Sequence, residues 1–108
     1  MLRDVTLQEV DGEIRSGKTV VLDFYAEWCI PCRAVDDVLT QVSRLLRESN
    51  RVVFLRVNVD VEKEAAEKFE VYGLPTVIVF HKGVEVKRFS GVPRNFAVEL
   101  LRLLKSLS

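Results

Sequence analysis

Val20-Val21-Leu22-Asp23-Phe24-Tyr25-Ala26-Glu27-Trp28-Cys29-Ile30-Pro31-Cys32-Arg33 carries an apolar segment directly into a pair of cysteines. Thr19 to Ala26 is nearly continuous in apolar character, as a strand buried on both faces requires. After Cys32, the residues Val35, Val38, Leu39, Val42, Leu45 and Leu46 recur at helical spacing. Cys29 and Cys32 therefore stand where a strand gives way to a helix, two residues apart, which is a redox arrangement. Two thiols on a first helical turn can close a small disulfide ring and reopen it. The helix N-terminus brings unpaired N–H groups and a partial positive charge, which favour a thiolate at Cys29. The pattern indicates reversible thiol–disulfide exchange, with no metal.

Two other uses of the cysteines fit less well. A structural zinc site needs four ligands, and the chain offers two cysteines and one histidine, His81, in a strand pattern. A purely structural bridge over so short a ring removes little chain entropy and so stabilises little.

The rest of the 108 residues reads as one domain, 1–108, large enough to bury an ordinary core. Sixteen basic and sixteen acidic side chains cancel, so no basic face for nucleic acid is implied. The start, Met1 to Thr6, has no apolar h-region, and no apolar run approaches a membrane span. A soluble, cytoplasmic monomer with its thiols mostly reduced is expected.

Thr6 and Glu9 have the form of a capping box, followed by Leu7, Val10 and Ile14 at helical spacing and Gly17 as a stop. Val52 to Val59 reads as a strand and Glu62 to Phe69 as a short helix, with Ala65 and Phe69 inward. Thr76 to Phe80 is a further buried strand, and Lys82-Gly83 turns it into an antiparallel edge strand, Glu85 to Ser90. Phe96, Leu100, Leu103, Leu104 and Leu107 mark a C-terminal amphipathic helix. The order is that of an α/β sheet of four to five strands with helices on both faces. Asp23 is out of place in it. It could face solvent at an edge, but Leu22 and Phe24 on either side make burial the expectation, and burial raises a carboxyl's pKa.

The stretch Val21 to Cys32 resembles the active-site segment of the thioredoxins. So do Asn58-Val59-Asp60, Tyr72-Gly73-Leu74-Pro75-Thr76 and Gly91, in the family's order and spacing along essentially the whole chain. The resemblance implies a thioredoxin fold with a mixed central sheet and a reductase of protein disulfides, recharged by a thioredoxin reductase and needing no cofactor beyond the Cys29–Cys32 couple. It implies that Cys29 is the nucleophile, partly exposed, and that Cys32 lies deeper and resolves the mixed disulfide. Asp23 would relay a proton to or from Cys32. Arg56 falls where the family usually has Lys, and would either hold Asp23 ionised or project into solvent. A cis bond at Leu74-Pro75 is implied, with Trp28, Ile30, Pro31, Gly73, Leu74, Pro75, Gly91 and Val92 forming the substrate groove.

Two residues depart from the family pattern: Ile30 stands where Gly is typical, and Asp37 replaces a proline. His81 is expected to be an exposed strand-end residue. An oxidant or isomerase on the same fold is an alternative, separable by reduction potential. A binding subunit with dispensable thiols is another, and serine at both cysteines would leave it intact.

Overall fold

The computed structural model describes residues 1–108. In chain order the elements are β1 (Leu2–Asp4), α1 (Leu7–Arg15), β2 (Thr19–Tyr25), α2 (Pro31–Leu45), β3 (Val52–Asn58), α3 (Ala65–Lys68), β4 (Thr76–His81), β5 (Val84–Ser90) and α4 (Phe96–Ser106). The five strands form one mixed sheet in the order β1-β3-β2-β4-β5. β1 and β2 both run parallel to β3, while β4 is antiparallel to β2 and to β5.

Every residue of β2 is buried, because the strand is central and helices cover both of its faces. Val20, Leu22 and Phe24 point to one face, where Leu55, Val57, Ile78 and Phe80 of neighbouring strands meet Val10 of α1 and Ala65 of α3. Val21 points to the other, packing with Phe54, Val77 and Val79 against Val35 and Leu39 of α2 and Leu100 and Leu104 of α4. Asp23 shares this second face, so its carboxyl lies in the layer that α2 covers.

The α1 capping box forms as its sequence predicts, with Thr6 Oγ1 accepting from Glu9 N–H and Glu9 Oε1 accepting from Thr6 N–H. Gly17, just past the helix, takes φ +84°, a left-handed conformation that glycine adopts at little cost. Lys82 and Gly83 both take positive φ, 52° and 82°, as a two-residue hairpin turn requires.

Three readings need correction. The helix expected over 62–69 contracts to Ala65–Lys68, because Glu62 is used elsewhere: its Oε1 accepts the N–H of Leu7 at 2.8 Å and caps α1 from across the fold. β1 was not anticipated; it is three residues long, mostly exposed, and too short to show a period. His81 is half-buried, its Nδ1 2.8 Å from the hydroxyl of Thr19.

The reciprocal cap of α1 gives a first test. Thr6→Ala should lower unfolding free energy by about 1 kcal/mol and Thr6→Ser by much less, measured by chemical denaturation. Equal stability of all three proteins would contradict the capping geometry.

Candidate active site

The register of the sheet explains why four separate motifs meet. β2 and β3 end side by side at Tyr25 and Asn58. β4 runs the opposite way, so its first residue, Thr76, lies opposite Phe24 at the same edge, and Thr76 in turn lies opposite Ser90, the last residue of β5. The loops at this edge are therefore Ala26–Ile30, the turns after Asn58, Tyr72–Pro75 and Gly91–Val92.

Cys29 and Cys32 are joined as a disulfide with Cα atoms 5.4 Å apart. They pack with Tyr25 and Ala26, and with Val59 and Leu74 partly covering them. Both are buried, Cys29 at 5% exposure and Cys32 at 3%, so the expected contrast between an open and a deep cysteine is small in the oxidised form. The sulfur of Cys29 is folded against its partner. What distinguishes the two is their position on the helix. α2 begins at Pro31, its flanking residue Ile30 offers no side-chain cap, and the first turn holds no acidic residue. The positive end of the helix is left to whatever negative charge forms at Cys29.

Trp28 and Ile30, flanking Cys29, are 68% and 70% exposed. The indole is not free: its Nε1 donates to Asp60 Oδ2 at 2.8 Å, and Asn58 Oδ1 shapes that turn by accepting Asp60 N–H. Asp60 is a site residue to which the sequence assigned no role, although the Asn58-Val59-Asp60 motif was visible. Val61 and Tyr72, both exposed and apolar at the same edge, were missed as well, since a single exposed apolar residue in a loop carries no periodic signal.

The Leu74–Pro75 bond is cis. Pro75 O accepts Gly91 N–H at 2.9 Å and Gly73 O accepts the Thr76 hydroxyl at 2.7 Å, which tie this loop to the sheet. Leu74, between them, has no backbone hydrogen-bond partner in the chain. Arg88 of β5 holds the preceding segment, donating to the carbonyls of Phe69 and Glu70 at 2.9 and 2.8 Å.

Asp23 is wholly buried, and neither of its oxygens has a hydrogen-bond partner. On the same face of the sheet, Asp4, Arg56 and Asp23 lie side by side on β1, β3 and β2. Arg56 does not pair with Asp23. Its Nη1 donates to Asp36 Oδ2 of α2 at 2.7 Å, its Nε lies 3.2 Å from Asp4 Oδ1, and the guanidinium stacks 3.7 Å over the Tyr25 ring. The Tyr25 hydroxyl donates to Asp4 as well. Burial, and next the neighbouring Asp36 carboxyl, push Asp23 up to about 8, with Arg56 opposing only in part. The direction is the reverse of that expected from an Arg56–Asp23 pair, because one cation is shared by two other carboxylates.

That shift has a sign in stability. Unfolded, Asp23 ionises near 4; folded, it keeps its proton until about 8. Native stability is therefore lost progressively as pH rises between those values, since ionising Asp23 in place costs more than ionising it in the open chain. Asp23→Asn should match the native protein below pH 4 and exceed it increasingly up to pH 8, by roughly 2–5 kcal/mol at the upper end. Denaturation across pH reads this directly, and a stability difference independent of pH would contradict a buried protonated Asp23.

The family model described as Thioredoxin matches residues 2–105. A thioredoxin of Chlamydia pneumoniae is 37% identical, covering 94% of this chain and 96% of its own. A bifunctional thioredoxin reductase/thioredoxin of Mycobacterium leprae is 34% identical over 96% of this chain, in a segment that makes up 22% of that protein. Among solved structures, mitochondrial thioredoxin 3 of Saccharomyces cerevisiae in its oxidised form superposes with a TM-score of 0.82 at 27% identity, covering 98% of this chain and 95% of that one. Sequence, sheet order and the bonded cysteine pair agree, and the chain belongs to the thioredoxin family, as a protein-disulfide reductase that works through Cys29 and Cys32.

Proposed function

We propose that Cys29, as a thiolate, attacks a disulfide in an extended segment of a substrate protein, and that Cys32 then resolves the mixed disulfide. The observation that carries this division of labour is the start of α2, uncapped and free of acidic side chains directly after Cys29. Charge developing there is stabilised by the helix, whereas Cys32 sits within the first turn and is backed by the sheet.

The substrate segment lies along Gly73-Leu74-Pro75, adding a short strand through the unpaired N–H and C=O of Leu74. Trp28, Ile30, Val61, Tyr72 and Val92 supply exposed apolar surface around that contact, and Gly91 holds Pro75 in place. Specificity on such a surface comes from shape and apolar contact more than from charge. Asp23, once it has released its own proton, takes the Cys32 proton as Cys32 attacks Cys29, and returns it when the disulfide is reduced again. A thioredoxin reductase is the electron donor; the relative in which both activities share one chain supports that partnership. A reducing compartment such as the cytoplasm suits the cycle, and no helix is long and apolar enough to cross a membrane.

Brief alkylation of the reduced protein followed by mass mapping should label Cys29 several-fold faster than Cys32, because only the thiolate reacts and the uncapped helix N-terminus favours it at Cys29. Cys32→Ser should then accumulate a mixed disulfide with substrate, because nothing remains to resolve it. Equal labelling of the two thiols would overturn the assignment.

A further inference from the structure

A proton relay through Asp23 needs an exit, since the carboxyl that would carry it has no contact with solvent. Asp36 lies one helical turn beyond Cys32 on α2, above the same face of the sheet. Its Oδ2 is held by Arg56 at 2.7 Å, while its Oδ1 is buried and has no hydrogen-bond partner. Both oxygens of Asp23 are in the same condition. Of these three buried acceptor oxygens on two neighbouring carboxyls, with no donor supplied by the protein, two can be satisfied by one proton held between them. Unlike Asp23, the Asp36 side chain is 25% exposed.

We propose that Asp36 shares the proton of Asp23 through its free oxygen, and is the positioning residue by which that proton passes between the buried carboxyl and solvent. The groups facing the pair fix its charge. Asp4 faces it from β1, Tyr25 from β2, Arg56 from β3 and uncharged Val77 from β4, so the single cation leaves one carboxyl uncompensated. The resolving step begins as Asp23 passes its own proton to Asp36 Oδ1, and the Cys32 thiol then gives its proton to the Asp23 carboxylate left behind. The resulting thiolate attacks Cys29 Sγ, the Cys29–Cys32 bond forms, and the bond from Cys29 to substrate breaks. The substrate sulfur leaves with the electron pair and takes a proton from water. Asp23 is thereby returned to its protonated form, and Asp36, whose side chain is partly exposed, releases the proton it received to solvent as its carboxyl turns that oxygen outward.

This inference rests on the relay role given to Asp23, and the test separates the two. The full chain is compared with Asp36→Asn, Asp36→Ala, Asp36→Glu and Asp23→Asn. Carbon-13 NMR of the Asp23 carboxyl should show its titration midpoint falling by about one pH unit or more in Asp36→Asn and Asp36→Ala, and returning in Asp36→Glu. Reduction of insulin disulfides, followed across pH, should slow at least about threefold in the first two variants, with the limb of the profile moving by the same amount, and recover in the third. An unchanged Asp23 midpoint would overturn the shared proton. A moved midpoint with a native rate would overturn the exit. Native turnover in Asp23→Asn would overturn the relay itself, and the exit with it.

Discussion

Asp23 occupies the centre of a five-stranded sheet, and the one cation beside it is already bound to two other carboxylates. Desolvation therefore acts on it almost uncompensated, and the cheapest response open to a buried carboxyl is to keep its proton. The surrounding apolar core is ordinary: valines and leucines of α2 and α4 on one face, α1 and α3 on the other. Replacing this carboxyl by an amide would remove a stability cost that grows as pH rises towards 8.

The same sheet sets the rest of the site by geometry alone. Parallel β2 and β3 end at one edge, and the antiparallel strand β4 begins there, so the cysteine loop, the Asn58–Asp60 turn and the loop before Pro75 converge without any long connection. Each is then pinned by a short polar bond: Trp28 to Asp60, Asp60 to Asn58, Thr76 to Gly73, Gly91 to Pro75. These bonds tie the loops to the sheet while leaving Ile30 exposed and the Leu74 backbone without a partner in the chain. Rigid loops on a fixed frame lower the ordering cost of binding an extended segment.

Most of this was legible in the sequence because it obeys periodic rules. The buried run Thr19–Tyr25, the helical spacing from Val35 to Leu46 and the Thr6–Glu9 box each announce one local structure. Asp23 was legible for the opposite reason, as a charge that breaks a pattern. What escaped was set by distant partners. Glu62 looks like a helical residue and instead caps α1 across the fold, while β1 exists only because β3 offers it an edge. Arg56 is the sharpest case. Its proximity to Asp23 follows from adjacent strands, but its actual partners come from β1 and α2, and no single strand's sequence reveals who wins a shared cation.

Burial keeps Asp23 a protonated, neutral carboxyl at physiological pH. Infrared difference spectroscopy between the native protein and Asp23→Asn at pH 7 tests this most directly, because only a protonated carboxyl contributes the carbonyl stretch of a free acid. A free-acid carbonyl band present in the native protein, absent from the variant and fading as pH is raised through about 8, is the expected result. Carboxylate bands alone at pH 7 would mean that Asp23 is ionised in the fold, and would contradict the reading of this site as a buried proton store.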